Sequence, residues 1–287
     1  MNQDQTRQLT ERIQAAAAAA EGLDIRGSGS KSFLGRAPAG TPLEVTDHAG
    51  VVNYQPKELI ITVRGGTPLS EIEETLAEQD QMLPFEPPHF GPGATIGGTI
   101  ACGLSGPARP YRGAARDLVL GTRILNGRAQ VLRFGGEVMK NVAGYDVSRL
   151  MAGAYGTLGL LLEISLKVLP VPAAERTLVQ ERTPAEAIEL TNRWAGKPLP
   201  VTANCYDGER FFLRLAGAET AVAQAATDVG GEVVEDGDSF WRDKIREQGH
   251  AFFAGGLPLW RISLPLSLIH ISEPTRPRLV SRMPSSA

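Results

Sequence analysis

The chain has 287 residues, of which 42% are hydrophobic, 21% are charged and 6% are aromatic, and its 29 basic and 32 acidic side chains give a formal net charge of −3. Disordered chains contain far fewer apolar residues and nucleic-acid-binding proteins usually carry a basic excess, so the composition excludes both classes. It predicts a soluble globular protein with one large domain or two smaller ones.

Helical periodicity and turn residues predict the elements of the first half. Leu9 and Ile13 recur at helical spacing, and Gly22 follows as a stop. Thr67 and Pro68 match the cap and the first position of a second helix. In chain order, the predicted elements are a helix over 4–21, a short extended segment before a Gly/Ser loop at 27–32, strands over 43–47 and 58–64, a helix over 67–79, and strands over 117–125, 129–134 and 157–169.

Pro170 and Pro172 end the last of these strands and predict a domain boundary near residue 172. Beyond this boundary, alternating patterns predict a small α+β unit without glycine-rich loops. Its predicted elements are helices near 184–195, 217–228 and 238–248, and strands near 200–206, 209–215, 231–235 and 258–264. We expect one open sheet edge beside the last of these strands, because no further element of this unit follows it.

The final segment is rich in Ser, Pro and Arg and shows little periodicity. It is interpreted either as a basic disordered tail or as translated sequencing-adapter sequence at the end of a truncated gene, and we favour the second interpretation. The expected organisation is therefore a first domain over 1–172, a partial second domain over 173–266 and a non-native tail over 267–287.

Cysteine is scarce, and no membrane segment is expected. Cys102 and Cys205 form no CxxC pair, so the sequence offers neither a disulfide framework nor a cysteine-ligated metal site. The first ten residues lack the apolar core of a signal peptide, and no run of about 18 apolar residues occurs. We expect a cytoplasmic protein that reaches the inner membrane only through a partner.

Three nucleotide-binding motifs are excluded at the loop 27–32. A Walker A loop needs Gly before its Lys-Ser pair, but Lys31 follows Ser30, and Ser32 stands where the Rossmann fingerprint has its third glycine. The catalytic set of a kinase-type loop is absent. What remains is a loop whose backbone amides can turn toward one anion, phosphate above all, although most Gly/Ser loops are ordinary turns.

A second glycine-rich stretch, 91–113, contains seven Gly and three Pro, which excludes a long regular element. Long loops in compact domains are often functional, so this stretch is the first place to look for a ligand. Two such loops in one half of the chain favour a long ligand with a phosphate portion and a flat portion.

These loops belong to a longer ordered series. It comprises Arg26-Gly-Ser-Gly-Ser, Thr95-Ile-Gly-Gly-Thr-Ile-Ala, Ser105-Gly106, Arg112-Gly113 with Arg116-Asp117, Gly127 and Gly156-Thr-Leu-Gly159. Over residues 1–172 the series resembles the FAD-binding domain of the vanillyl-alcohol oxidase and p-cresol methylhydroxylase (PCMH) flavoproteins. Leu83-Pro-Phe-Glu-Pro-Pro88 and Lys140-Asn-Val-Ala-Gly-Tyr-Asp146 resemble, more narrowly, an FAD-binding subunit of bacterial glycolate oxidases. The resemblance implies the α+β class, with a PCMH-type FAD-binding domain of two α+β subdomains followed by a truncated α+β cap domain.

The resemblance also implies cofactor-binding residues, position by position. The residues implied at the FAD pyrophosphate are Arg26, Gly27, Ser28, Gly29, Ser30, Lys31 and Ser32. Those between pyrophosphate and flavin are Thr95, Ile96, Gly97, Gly98, Ser105 and Gly106, those in the next part of the pattern are Arg112, Gly113 and Asp117, and those at the adenosine end are Gly156, Thr157, Gly159 and Ile164. Because the first loop has no histidine, the usual anchor of a covalent flavin is missing, and noncovalent FAD is expected. Ser28 departs from the glycine common in the family.

Few other side chains suggest chemistry. His48 and His89 are the histidines of the flavin-like half; His89 could act as a base, although an isolated loop histidine is more often structural. Tyr145 and Asp146 could form a turn or contact the flavin. Lys140 could lie beside a ligand anion or face water. The basic cluster of Arg109, Arg112 and Arg116 could contact a phosphate or a partner, or belong to a surface turn. Cys102 is expected to be a small packed residue.

No nucleophile, base and orienting residue form a recognisable set, so the catalytic residues stay unknown, and no metal site is expected. Flavin chemistry needs few protein groups. The resemblance implies oxidation of glycolate, or a related D-2-hydroxy acid, to glyoxylate together with a paralogous flavin subunit and an iron–sulfur subunit. Two alternatives stay open: a flavin-free interaction subunit of such a complex, and a self-sufficient FAD-dependent D-2-hydroxy acid dehydrogenase.

Overall fold

A five-stranded antiparallel sheet organises the first half of the chain. The computed structural model describes residues 3–136, 145–255 and 259–260. The helices and strands of the first half are α1 Thr6–Ala18, β1 Leu23–Arg26, β2 Thr41–Glu44, β3 Val51–Gln55, β4 Ile60–Arg64, α2 Leu69–Ala77, β5 Gln81–Met82, α3 Ile96–Cys102, α4 Arg109–Arg112, α5 Ala115–Leu118, β6 Val119–Leu125, β7 Val131–Gly135, α6 Val147–Met151, β8 Leu160–Lys167 and β9 Leu169–Pro170. The sheet has the order β3-β4-β8-β6-β7.

The central strands of this sheet are covered on both faces. All five residues of β4 and seven of the eight in β8 are buried. Leu160 and Leu162 pack on one face with Leu9 of α1, whereas Ile164 and Leu166 pack on the other face in the main core with α2 and α3. Because both faces are covered, β8 begins with three consecutive leucines, Leu160 to Leu162, before it alternates apolar and polar residues.

A separate pair of parallel strands lies beside this sheet. β1 and β2 are parallel and pair from Leu23↔Thr41 to Arg26↔Glu44. The 14 residues between them must therefore carry the chain from the end of β1 back to the end of the pair where β1 begins. The Gly/Ser loop 27–32 is the first part of this connection and leaves directly from the end of β1. The sheet pairing therefore fixes both ends of the segment that contains the loop.

The second half contains a smaller antiparallel sheet. Its elements are β10 Ala174–Glu181, α7 Pro184–Ala195, β11 Val201–Tyr206, β12 Arg210–Gly217, α8 Glu219–Val229, β13 Glu232–Val233, α9 Gly237–Ser239 and a π-helix at Phe240–Arg246. The order is β11-β12-β10-β13. Leu213 and Leu215 pack against α7 and α8 on one face, and Phe212 packs against Trp241 of the π-helix on the other. This half is thus a sheet with helices on both faces.

Three of the polar contacts between the two halves involve β12, β11 and the residue after the π-helix. On β12, Arg214 forms an ion pair with Glu86 at 2.5 Å, and on β11, Asn204 donates to the hydroxyl of Tyr111. Burial raises the pKa of Tyr111 to about 12, so this phenol stays neutral in the ordinary pH range. The third contact is made by Glu247, which follows the π-helix and binds the backbone of the loop that precedes α3.

Most predicted elements are confirmed within one to four residues, including the helices α1, α2, α7 and α8. The predicted cap of α2 is wrong: Pro68 is the N-cap, because the buried Thr67 hydroxyl donates to the Arg64 carbonyl at 2.7 Å and accepts from the Gly50 amide at 2.9 Å. The strands β3 and β10 and the helix α3 were not predicted, and neither were the shorter elements β5, α4, α5 and α6.

Some predictions lie outside the described residues or concern less regular structure. A π-helix replaces most of the α-helix predicted near 238–248. Most of the strand predicted at 258–264, and the whole of 267–287, lie outside the described residues. The domain boundary near 172 stays a prediction, and the chain passes there from β9 to β10. None of the helices in the described ranges has both the length and the hydropathy needed to span a bilayer.

Candidate functional site

A cavity of about 860 Å³ lies where three segments of the first half meet. The segments are the connection after β1, the helix α3 and the turn before β8. Of the residues predicted to bind a cofactor, those that line the cavity are Arg26, Gly27, Ser28, Gly29, Ser30, Lys31, Ser32, Thr95, Gly97, Gly98, Gly156 and Gly159, and Thr157 also lines it. The two glycine-rich loops, which are more than sixty residues apart in the sequence, thus share one wall.

Close backbone packing brings the two loops together. A Cβ atom on Gly27 would overlap Thr95 Oγ1, so only glycine fits at the contact between the first loop and the start of α3. A Cβ atom on Gly97 would lie 2.6 Å from the carbonyl oxygen of Gly65, at the turn that follows β4. Glycine at both positions lets the main chains approach closely, and this approach places α3 against the cavity.

The first loop leaves backbone donors available. The Ser32 amide donates to Gly29 O at 3.0 Å, and the Ser30 amide donates to Ser28 Oγ at 3.4 Å. The amides of Ser28 and Gly29 donate to none of the residues that the structure describes. Gly29 lines the cavity, has φ +73° and has nothing within 4 Å of the position of a Cβ atom. The loop can therefore donate to an anion.

The second loop has no such donors at its helix start. The Ile96 amide donates to Thr67 O at 2.9 Å, the Gly97 amide to Gly65 O at 2.8 Å, and the Gly98 amide to the Thr95 side chain at 3.3 Å. Each of these amides is satisfied inside the protein. The glycines of α3 therefore supply space beside the cavity rather than hydrogen bonds.

Lys31 places a positive charge in the cavity wall. The residue is only 7% exposed, and its ammonium donates to the His89 carbonyl at 3.2 Å and to Ser30 Oγ at 3.4 Å. The ring of Phe90 lies 5.9 Å from the same nitrogen. Burial lowers the pKa of Lys31 from its ordinary value. Within the described ranges no carboxylate forms an ion pair with Lys31, whereas the neighbouring Arg26 is paired with Asp24.

Cys102 lines the cavity instead of packing only inside the core. Burial raises the pKa of its thiol, so the thiol stays protonated. Ala101, Met151 and Tyr155 also line the cavity and were not predicted. The place of Cys102 in the cavity wall is predictable once the helix α3 is recognised. Cys102 stands four residues after Gly98, and residues at this spacing lie on the same face of a helix.

Seven predicted residues lie outside the cavity lining: Ile96, Ser105, Gly106, Arg112, Gly113, Asp117 and Ile164. Ile96 and Ile164 are fully buried in the main core. Ser105 Oγ accepts from the Ala115 amide at 2.9 Å, and Asp117 accepts from the Ala114 amide at 3.1 Å. These four side chains already have structural contacts.

Of the other three predicted residues, Gly106 and Arg112 contact Glu86. Gly106 packs against the Glu86 backbone so closely that a Cβ atom would overlap it. The Arg112 guanidinium lies 3.9 Å from Glu86, and burial lowers the pKa of Arg112. Gly113 has φ +96°, a left-handed conformation that favours glycine. The structure therefore places all seven residues outside the cavity lining.

The histidines have structural contacts. His48 is 1% exposed; its Nδ1 accepts from the Gln5 amide at 3.0 Å and its Nε2 lies 3.0 Å from Leu162 O, which fits the neutral ring with the proton on Nε2. Burial lowers the pKa of His48. His89 Nε2 lies 3.2 Å from a Glu73 carboxylate oxygen, and neither ring lines the cavity.

The remaining candidates do not converge on the cavity. Tyr145 is 95% exposed, and Asp146 caps α6 by accepting from the Arg149 amide at 3.0 Å. None of Arg109, Arg112 and Arg116 lines the cavity, and Arg116 pairs with Asp117 on the surface. Lys140 lies outside the described residues. No cluster of His, Cys, Asp or Glu within the described ranges is arranged to hold a metal ion.

The chain is similar to known proteins, both in its first half and over most of its length. A family described as "FAD binding domain" matches residues 4–135. Over 262 residues the chain is 51% identical to glycolate oxidase subunit GlcE of Escherichia coli (strain K12), covering 91% of this chain and 74% of that protein. Over 186 residues it is 30% identical to glycolate oxidase subunit GlcD of Bacillus subtilis (strain 168), covering 63% of this chain and 39% of that protein.

The fold is also found among solved structures. An alkyldihydroxyacetonephosphate synthase superposes with a TM-score of 0.62 at 19% identity, covering 77% of this chain and 50% of that one. Such a likeness shows the fold alone, and it confirms the predicted α+β fold of PCMH-type flavoproteins. The chain spans about three quarters of the GlcE relative and half or less of the other two proteins.

Proposed function

Because the chain belongs to the family of glycolate oxidase subunit GlcE, we propose that it is the FAD-binding subunit of a glycolate oxidase and takes part in oxidising glycolate to glyoxylate. The residues that match the FAD binding domain, 4–135, contribute most of the cavity wall. The observation that carries the proposal is a large cavity whose wall combines loop amides that donate to none of the described residues with the buried Lys31 ammonium, which forms no ion pair within the described ranges.

The residues of the cavity fit a ligand with an anionic centre. In the proposed arrangement, the loop 27–32 holds the pyrophosphate through the amides of Ser28 and Gly29, and Lys31 offsets part of its negative charge. The glycines of α3 and the pair Gly156 and Gly159 allow the chain to lie close to the remaining parts of the cofactor. The loop has no histidine, so we propose that the FAD is held noncovalently.

When bound, a flavin accepts the hydride equivalent of the alcohol, so the protein's task is to bind and orient. The titratable side chains of the cavity wall include Asp24, Arg26, Lys31, Arg36, Cys102 and Tyr155. Asp24 is paired with Arg26, the Lys31 ammonium donates to the His89 carbonyl, and burial raises the pKa of the Cys102 thiol. None of these six is a convincing base for the hydroxyl proton of a 2-hydroxy acid. We therefore propose that a paralogous flavin subunit abstracts that proton and that this chain passes electrons on to an iron–sulfur subunit.

The name of the GlcE relative describes a subunit, and the GlcD relative is another subunit of such an oxidase. These names support a complex as the working form of this chain. The iron–sulfur partner, and any membrane contact made through the partners, are further parts of the proposal.

The first experiment tests cofactor binding by the full chain. We expect the purified protein to show the two visible absorption bands of bound flavin, or to quench the fluorescence of added FAD in a saturable way. Lys31→Met should weaken this binding, whereas Lys57→Met, which removes an exposed lysine of the same half, should leave it unchanged. A chain that binds no FAD under these conditions contradicts the proposal.

The second experiment tests the reaction. The chain is co-expressed with a glycolate oxidase flavin subunit and an iron–sulfur subunit, and reduction of a dye by glycolate is measured in the purified complex. We expect turnover in the complex and none with the isolated chain. Turnover of glycolate by the isolated chain would instead support a self-sufficient dehydrogenase.

A further inference from the structure

Glu247 connects the second half of the chain to the loop that lies beside the cavity. Its carboxylate accepts from the Phe90 amide at 2.9 Å and from the His89 amide at 3.1 Å. These residues are separated from Glu247 by more than 150 positions in the sequence. Hydrogen bonds to an ionised acceptor are stronger than those between neutral groups, so we expect the hydrogen bonds to Glu247 to be strong.

The same loop holds Lys31. The His89 carbonyl accepts from the Lys31 ammonium at 3.2 Å, and the Phe90 ring lies 5.9 Å from it. The His89 carbonyl and the Phe90 amide belong to one peptide group. That peptide therefore donates to the Glu247 carboxylate at one end and accepts from the ammonium at the other, an arrangement in which each bond polarises the next.

The loop needs this external support. Phe90 has φ +52° and Glu86 has φ +46°, left-handed conformations that are unfavourable for residues with a side chain. Contacts from outside must hold such a loop in place. The Phe90 ring also meets Phe33 edge-on at 5.4 Å, so the loop rests on the chain that follows the cavity's glycine loop.

The position of Glu247 is set by the second sheet. The π-helix before it is anchored by Trp241, which is 1% exposed and donates to Thr177 Oγ1 at 2.9 Å, and by Phe240, which stacks on Phe212 at 4.2 Å. π-Helices are rare and often occur at functional sites. Here the π-helix positions the Glu247 carboxylate of the second half against the backbone of the first half.

Two other charges surround this contact. Arg246 Nε lies 3.1 Å from the Glu247 carboxylate, and its guanidinium lies 3.8 Å from Glu73. Glu73 in turn contacts the His89 ring. Arg246 and His89 thus contact the carboxylates of Glu247 and Glu73. Among the described residues, the hydrogen bond from the Phe90 amide is the shortest that Glu247 makes.

We propose that Glu247 is a positioning residue of the FAD site: it orients the peptide between His89 and Phe90, and this peptide holds the Lys31 ammonium at the cavity wall. The second half would then set the cofactor affinity of the first without touching the cofactor. The inference rests on the proposed function, because it takes FAD as the ligand.

The test is a double-mutant cycle on FAD affinity. We measure the dissociation constant of FAD by fluorescence quenching for the full chain, for Glu247→Gln, for Lys31→Met and for the double variant. We expect Glu247→Gln to weaken binding about tenfold and Lys31→Met about thirtyfold, with the double variant no weaker than Lys31→Met alone. Glu209→Gln, an exposed carboxylate of the second half, serves as the matched control and should match the wild type.

The outcomes separate the two proposals. A wild-type chain that binds no FAD overturns both. A wild-type chain that binds FAD, with Glu247→Gln equal to it or with additive losses in the double variant, overturns the inference and leaves the proposed function standing. Glu247→Asp is the second variant, used if Glu247→Gln does not fold. Its FAD affinity should lie between that of Glu247→Gln and that of the wild type. Folding of each variant is checked by circular dichroism and by the tryptophan fluorescence, to which the buried Trp241 contributes.

Discussion

The two glycine-rich loops that face the cavity contribute to it in opposite ways. The loop 27–32 leaves the amides of Ser28 and Gly29 without a partner among the described residues and holds the ammonium of Lys31 in the wall. At the start of α3, the Gly97 and Gly98 amides are already bonded within the protein. The first loop therefore supplies charge and donors, and the second supplies close packing.

This difference teaches that glycine content alone does not identify an anion site. Glycine allows a turn that exposes amides, as at Gly29, but it also allows two backbones to touch, as at Gly97 and Gly65. Variants of the first loop should change ligand binding more than stability. Variants of the second should do the reverse.

The largest expected effect is on stability at Gly97. Gly97→Ala would place a Cβ atom 2.6 Å from the Gly65 carbonyl oxygen, and neither backbone can move away without breaking the turn after β4. We expect the free energy of unfolding to fall by about 3 kcal/mol, measured by urea denaturation. Gly29→Ala has open space around the new methyl group and should lose about 1 kcal/mol, from its left-handed backbone. Equal losses of unfolding free energy in Gly97→Ala and Gly29→Ala would contradict the proposed difference between the two loops.

The next effect is on binding at Lys31. Lys31→Met removes the cation from the cavity wall and should weaken FAD binding about thirtyfold, equivalent to ~2 kcal/mol. Because the ammonium is buried without an ion pair among the described residues, the melting temperature of the protein without FAD should not fall. Calorimetry with and without FAD separates the two quantities. A large loss of stability with unchanged affinity would assign Lys31 to the packing of the fold.

A smaller effect is expected at the cap of α3. Thr95→Val removes the side-chain oxygen that accepts from the Gly98 amide, and we expect a loss of about 1 kcal/mol in the free energy of unfolding. Thr95→Ser keeps that oxygen and should restore most of the loss. In the first loop, Ser28→Ala removes only a long, exposed hydrogen bond and should change stability by less than about 0.5 kcal/mol.

The smallest effect is a pH dependence of stability from His48, whose carbonyl accepts from the Gly66 amide at 2.9 Å. Burial lowers the pKa of His48 in the folded protein, so the unfolded chain takes up a proton near the ordinary value of 6.5 while the folded chain does not. Stability should therefore decrease as the pH falls below about 6.5. Thermal melts between pH 7.5 and 5.5, compared with His48→Gln, check this. A wild type whose pH dependence equals that of the variant would contradict it.

The sequence by itself was sufficient for much of this protein. Periodicity and caps located the helices α1, α2, α7 and α8, because these signals lie within a few neighbouring residues. The ordered glycine series identified the family and twelve of the residues that line the cavity, since each motif is local and its order along the chain is visible.

The tertiary structure decided which loop has free donors and which residues hold them in place. Whether an amide in a glycine loop is free depends on acceptors such as the Gly65 and Thr67 carbonyls, about thirty residues away in the sequence. The contact of Glu247 with the Phe90 amide, and the placing of Ile164 and Arg112 outside the cavity lining, likewise depend on how distant strands pack. Local patterns encode where the chain turns, but hydrogen-bond partners and burial are properties of residues brought together only by folding.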